Sequence, residues 1–340
     1  MFRYKIAVLA SVFTLHFSLH AGWTPAKYSG EFLSVGMGAR ALGMGSAHAA
    51  LANDVTALYW NPAGLSRMQT WQAHAMHSER FAGTVNWDVI GLGIPMRNGR
   101  SLAIGFLRLG VDDIPYTKLL DPNRQLGEVY VDATGQTVRN VPYVDSYMTH
   151  SESAFYLSYA LRKNDQWAFG LNVKTLFKKS GFNDAWGLGF DAGVQYQMFS
   201  NLRLGAMLSD GTGTLVAWDT GRKEMIRPKV TFGAASSVHW KTFEFAPACD
   251  MEINLENRGD ANQLSMGRAG IDFRAGFEVQ YKKLLAIRLG ADRGYFATGA
   301  GFTFKGLALD YGFSPHEDLG NTHRISVTLF RNPFKSQRQK

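Results

Sequence analysis

The chain has 340 residues, 46% of them hydrophobic and 13% aromatic, with 36 glycines, a single cysteine and a formal charge of +8. Much of that charge lies at the ends, with Arg3 and Lys5 opening the chain and Arg331, Lys335, Arg338 and Lys340 closing it; the body is nearly neutral and lacks the basic stripe of a nucleic-acid-binding protein. Cys249 has no partner for an internal disulfide, no Cys/His cluster has metal-ligand spacing, and no window after the start holds the apolar run that a transmembrane helix needs. Residues 1–21 read as a secretory signal peptide: a basic start, a mostly apolar stretch from Ile6 to Leu19 that is too short to span, and Ala21 before Gly22. The expectation is an exported chain whose leader is cleaved, with no cysteine at that point to carry a lipid anchor.

Next comes Phe32 to Met68, which is neither leader nor strand-like. Its first half holds Gly36, Gly38, Gly43 and Gly45 among Ala39, Ala41, Ser46, Ala47, Ala49 and Ala50, a composition suited to close backbone packing inside a larger structure. Its second half, Ala57 to Leu65, is a short apolar run interrupted at Asn61-Pro62, where proline removes a donor and sets a turn. The reading is a plug. Gly36-Met37-Gly38-Ala39-Arg40-Ala41 also fits the loose G-x-G-x-x-G/A dinucleotide pattern, but no second parallel strand with a ribose-binding acid follows it.

GARALGMG from Gly38 to Gly45 and ALYWNPAGL from Ala57 to Leu65 resemble the N-terminal signature of the PorV/PorQ family, outer-membrane barrels related to the FadL fatty-acid channels. The resemblance implies a hatch over residues 22–70, carried by Gly36, Gly38, Arg40, Gly43, Gly45, Asp54, Trp60, Asn61, Pro62 and Gly64. A fourteen-stranded barrel over 71–330 and a basic periplasmic tail over 331–340 complete the expected organisation.

From Trp71 onward the dominant period is two. Trp186, Leu188, Phe190, Ala192, Val194 and Tyr196 alternate with Gly187, Gly189, Asp191, Gly193 and Gln195, and Ile271 to Tyr281 repeats the pattern. Such length exceeds what a soluble strand needs and suits a tilted membrane strand with lipid against its apolar face. Fourteen segments can be counted: 71–77, 85–95, 101–109, 152–162, 167–177, 185–199, 202–209, 229–240, 243–256, 267–281, 284–292, 295–304, 306–313 and 323–330. Their connections alternate between short turns, such as 97–100, 163–166 and 200–201, and long loops at 110–151, 210–228, 257–266 and 314–322. That sorting predicts an all-β, antiparallel transmembrane barrel with short periplasmic turns, long outer loops and the plug in its lumen; a soluble sandwich has no reason to sort its loops.

Aromatic residues cluster at segment ends, at Trp71, Trp87, Trp167, Trp186, Trp240, Tyr281 and Tyr295, where interfacial girdles lie. The second segment mixes its parities, with Trp87 and Val89 on one face and Ile90, Leu92 and Ile94 on the other, for which a bulge or kink is the expected cause. The closing LDYGFSPHEDLGNTHRISVTLF, Leu309 to Phe330, resembles the final hairpin of the same family.

No catalytic set emerges. Asp219-Thr220-Gly221 is a single copy in a predicted loop, His74 and His77 fall on opposite strand faces, and His316 and His323 flank an acidic loop with Glu317 and Asp318 but lack further ligands. The expectation is a non-enzyme without metal or cofactor. The parity opposite the apolar one carries Lys174, Asp191, Arg203, Asp250, Glu252, Asp272, Arg274, Glu278, Arg288, Asp310 and Arg324, a mixed-sign lumen lining expected to pair with itself and with the plug.

Two functions follow. The PorV resemblance implies a component of type IX secretion and surface attachment, binding secretion-system or cargo proteins through long outer loops. The FadL relationship implies uptake of hydrophobic small molecules such as long-chain fatty acids, past the hatch and out sideways near the irregular second and third segments. Polar lumen parities on the sixth, ninth and tenth segments favour the first. Both place the protein in the outer membrane of a Gram-negative-type cell, against lipid and with no nucleic-acid partner.

Overall fold

The computed structural model describes residues 24–27, 29–81, 83–256, 258–315 and 320–331. The predicted leader, the tail after Arg331 and the sequence His316-Glu317-Asp318 lie outside the described residues.

Fourteen antiparallel strands form one closed sheet: β1 (Trp71–Arg80), β2 (Val85–Pro95), β3 (Arg100–Leu119), β4 (Pro142–Arg162), β5 (Trp167–Ser180), β6 (Asn183–Gln197), β7 (Leu202–Ser209), β8 (Lys229–Ser236), β9 (Phe243–Asn254), β10 (Ala269–Tyr281), β11 (Leu285–Asp292), β12 (Tyr295–Phe304), β13 (Leu307–Ser314) and β14 (Thr322–Arg331). Each pairs with its neighbours, and β14 closes on β1 from Trp71 opposite Arg331 to Glu79 opposite His323. Along the strands buried and exposed positions alternate, and the exposed set is apolar: Leu171, Trp186, Ile287 and Leu289 all point away from the lumen. An apolar outer wall with no sheet over it is a lipid-facing wall.

Inner-end turns are tight. Asn98-Gly99 takes two left-handed residues at φ 60° and 69°, the choice that fits a two-residue hairpin. Lys241, Lys282, Lys283 and Lys305 occupy the same region in three other inner turns, a conformation costing a non-glycine residue about 1–2 kcal/mol.

The outer end departs from the sequence expectation in two places. The predicted loop 110–151 is mostly strand: β3 and β4 continue to Leu119 and back from Pro142 as a two-stranded ribbon, with register shifts between Val111 and Ile114 and between Tyr116 and Thr117. The bulge expected in the first three strands therefore sits higher, since β1–β2 and β2–β3 pair without a shift. At the ribbon tip Asn140 is fully buried; its amide donates to the carbonyls of Asp121 and Arg124 while its oxygen accepts from the Asp121 N–H. In loop 210–228, Thr214–Trp218 folds back to pair with Ala185–Leu188 of β6, because β7 is only 8 residues long and would leave the outer half of the 15-residue β6 with a bare edge.

Candidate functional site

The stretch from Glu31 to Met68 runs inside the barrel, descending from the outer end to the inner one. Above it, Thr24–Pro25 pairs in parallel with Glu224–Met225 of the folded-back loop, and below it the chain enters β1. A 3-10 turn (Glu31–Ser34), a short helix α1 (Ala39–Gly43), a second short helix α2 (Ala57–Trp60) and a further 3-10 turn (Pro62–Arg67) make up this inner segment. Gly36 and Gly38 at φ 90° and 89° set the chain entering α1, and Asn61 caps the last turn by accepting from the Ala63 N–H, with Pro62 at the first position where its missing donor costs nothing.

Short turns of this kind leave many polar backbone groups, and the wall satisfies them. Trp87 Nε1 donates to the Gly36 carbonyl at 2.7 Å, Arg324 to that of Val35 at 2.9 Å, Asn172 to that of Leu58 at 2.8 Å and Gln195 to that of Ala52 at 2.9 Å. Asp250 accepts the N–H groups of His48 and Ala49 at 2.8 and 2.9 Å, and Gln72 accepts that of Val55 at 2.7 Å. Trp60 Nε1 donates to Met37 O, and Asn61 Nδ2 donates to Ala49 O and Val194 O.

Where wall and segment come closest, the wall carries glycine. A Cβ at Gly170 would overlap Pro62 and Ala63, one at Gly276 the Met44 carbonyl, one at Gly290 the Gly45 nitrogen, and one at Gly193 the Asn61 side chain. The segment's own Gly45 faces Ala291 just as tightly and a Cβ at Gly43 would meet Gly299 at a looser 3.0 Å, while Gly64 lies on the Ala52 carbonyl.

The lumen has two unlike halves. On β2 to β4 it is mostly apolar: Trp87, Val89, Leu107 and Tyr156, with Leu176 of β5, pack on Phe32, Met37, Val55, Leu58 and Leu65 in one buried cluster. This apolar side stands beside the expected mixed-sign charges and explains the mixed parity of β2, whose two faces meet lipid on one side and the inner segment on the other. From β9 to β14 the lining is charged. Glu278 takes a bidentate pair from Arg40, at 2.7 and 3.0 Å, and also binds Arg288, which reaches Asp310 at 2.7 Å. Arg274 joins Glu252 and Asp292 at 3.0 and 3.1 Å, and Asp272 accepts from Asn254 and from the Gln263 N–H. At the seam between the halves, Lys174 lies within 2.7 Å of Asp191 and 2.8 Å of Asp210. Burial works against the charge on Arg40, but Glu278 outweighs it and raises its pKa.

Of the inner-segment residues singled out in the sequence, Arg40 meets wall charge and Trp60, Asn61 and Pro62 meet wall or segment backbone; Asp54 accepts instead from the N–H and hydroxyl of Thr56 and lies 3.9 Å from Arg40. Sequence reading missed Asn172, Gln195, Gln72 and Trp87. Their signal, an amide or indole on lumen parity, acquires meaning only when a backbone lies opposite.

A crevice of about 570 Å³ opens at the inner end of the lumen, walled by Arg40, Asp54, Arg67, Glu278, Arg288 and Asp310, while one of about 480 Å³ by Phe177, Trp186 and Trp218 lies on the lipid-facing side of the sheet near its outer end. Beside Tyr59, Tyr156 and Lys174 a cavity of about 30 Å³ has room for little more than a water.

This architecture is similar in fold to several solved structures. The toluene transporter TbuX of Ralstonia pickettii matches with a TM-score of 0.56 at 13% identity, over 87% of this chain and 98% of that one. The CymD monoaromatic hydrocarbon channel matches at 0.58 and 13%, over 88% and 98%, and the toluene transporter TodX of Pseudomonas putida at 0.56 and 13%, over 87% and 98%. The fold is the one these hydrocarbon channels share. No protein-family model matches the sequence, and no curated protein does. The PorV/PorQ likeness thus rests on three sequence stretches, whereas the barrel fold shared with these channels spans 87–88% of the chain.

His48, at the centre of the inner segment, makes its docking depend on pH. It is 1% exposed, and burial, aided by the charges of Arg40 and Arg288 and opposed by Asp54 and Glu278, lowers its pKa to about 4. The folded state therefore holds it neutral where the unfolded chain, titrating near 6.5, is already protonated. Above about pH 6.5 both are neutral and nothing is lost; as pH falls from there toward 4 the inner segment loses up to about 3 kcal/mol of docking stability. Amide-exchange protection of residues 41–52 should fall across that window in the wild type and stay flatter in His48→Gln; parallel curves would remove His48 as the cause.

Proposed function

We propose that the chain is an outer-membrane channel admitting hydrophobic small molecules of the hydrocarbon or fatty-acid class. The observation that carries this reading is the apolar side of the lumen: Trp87, Leu107, Tyr156 and Leu176 line a greasy wall directly against the inner segment. A purely aqueous pore has no use for such a lining. The transport named for TbuX, TodX and CymD supports the same class of solute. In this reading the inner segment is a hatch whose Phe32, Leu58 and Leu65 side chains stand in the route and must yield for a solute to pass. Its charged side keeps it tethered through Arg40 and Glu278.

A second reading, a PorV-type role in type IX secretion, is favoured by one feature, the ribbon of β3 and β4 with its Asn140-braced tip and exposed Tyr143, Val144 and Tyr147. Preorganised apolar surface beyond the membrane suits a protein partner. One experiment separates the two. In cells lacking their own hydrophobic-solute channel, expression of this chain should raise saturable uptake of labelled toluene or oleate, and Trp87→Arg, which puts a charge in the greasy wall, should lower it at least about tenfold. Uptake equal to the empty-vector control, together with co-purification of secretion or cargo proteins from native membranes, would move the assignment to the secretion role.

A further inference from the structure

The inner-end turns place lysine where backbone geometry does not favour it. Lys241 at φ 56°, Lys282 and Lys283 at 51° and 56°, and Lys305 at 45° all hold left-handed positions that glycine or asparagine takes more easily, as Asn98-Gly99 does in the turn between β2 and β3. Local folding therefore gains nothing from lysine at these sites, and the reason for it lies in what the side chain meets. In three separate turns the ammonium group sits over the ring that precedes it: Lys241 Nζ is 5.0 Å from the Trp240 centroid, Lys282 5.2 Å from Tyr281 and Lys305 5.0 Å from Phe304. All three rings are on the lipid-facing parity of their strands, opposite Phe243, Leu285 and Leu307.

Arg97, Arg100, Arg162 and Lys163 add exposed cations around two further inner turns, against a single turn carboxylate, Asp165. None of these eight cations is in an ion pair among the described residues, whereas the lumen cations Arg40, Lys174, Arg274 and Arg288 all are. We propose that this basic ring is a headgroup site for anionic phospholipid of the inner leaflet, the rings lying at the acyl boundary and the lysines binding the phosphates above them. A lipid surface fits better than an acidic protein because the cations are spread over five inner turns around the wall, three of them seated against a lipid-facing ring, instead of gathering in one patch.

The test uses the full chain reconstituted in phosphatidylcholine vesicles containing a trace of spin-labelled phosphatidylglycerol or spin-labelled phosphatidylcholine, with the motionally restricted fraction read by electron spin resonance. At low salt, phosphatidylglycerol should be restricted at least about threefold more than phosphatidylcholine, and the preference should collapse at high salt. The variant K241N/K282N/K283N/K305N should lose most of the preference, and the corresponding four-arginine variant should keep it. Asparagine suits the left-handed backbone, so the first variant should retain the heat-modifiable mobility of a folded barrel. Equal restriction of both lipids by the wild type overturns the proposal, as does an undiminished preference in the asparagine variant, or capture of an acidic periplasmic protein with no lipid preference.

Discussion

Replacing Gly290 with valine is expected to dislodge the inner segment while leaving the barrel wall intact. Residue 290 faces the lumen on β11, and a Cβ there overlaps the Gly45 nitrogen and the Met44 carbonyl carbon. Both are backbone atoms, so no side-chain rotation relieves the contact, and Gly45 is itself locked at φ 58° against Ala291 and Ala275. Overpacking a core costs about 1–3 kcal/mol where neighbours can adjust; here the wall strand is held on both sides by β10 and β12, so the inner segment should be the part that moves. The outer face of β11 is untouched, and the sheet should keep its pairing with β10 and β12. In planar bilayers the expected result is a conductance well above wild type, with loss of exchange protection over residues 38–52. Ala291→Val, one residue along and facing lipid, serves as the control. If both variants conduct like the wild type, the segment does not close the lumen.

Lys174→Met should be the most destabilising single change in the wall. The ammonium group is 2% exposed and lies between Asp191 and Asp210, and Asp191 also accepts from the Asp210 N–H at 2.9 Å and from Asn172 at 3.1 Å. Removing the cation leaves two buried carboxylates facing one another, a loss on the order of 3–5 kcal/mol. The triple variant K174M/D191N/D210N removes the stranded charge along with the pair and should recover most of the loss, since a buried ion pair contributes little net stability over neutral groups of like shape. Unfolding midpoints in denaturant decide the matter; a single variant as stable as the wild type would mean that water reaches the pair. The same cluster holds the start of the folded-back loop through Thr214 and Asp210, so trypsin should cut near Arg222 and Lys223 faster in the single variant.

The barrel was largely legible in the sequence because lipid imposes a strict period on each strand. Trp186 to Tyr196 and Ile271 to Tyr281 could not be read otherwise, and the predicted strand starts and ends agree closely with the structure wherever one face is lipid-bound. Above the membrane that constraint ends, which is why the ribbon from Gly110 to Ser151, exposed on both faces, read as loop. The inner face was harder for a different reason. Asp250, Arg274, Glu278 and Arg288 announce themselves as charges on lumen parity, but their partners are set by where the inner segment lies, and no period encodes that. Trp87 misled most: its apolar ring on lumen parity suggested a bent strand, when it packs on residues from Phe32 to Leu65 and donates to Gly36.

The seam between β1 and β14 joins residues made near the start of the wall to those made last. Arg40, emerging early, finds its carboxylate on β10, and the Val35 carbonyl finds its guanidinium on β14. During biogenesis the occupant of the lumen must therefore be present while the sheet is still open, waiting through most of translation and export for its ionic partners, and is enclosed only as the circle is sealed. Contacts of such long sequence separation form slowly, so the step most exposed to failure is the final one, and a chaperone that shields Phe32 to Met68 until then would act at the point of greatest need.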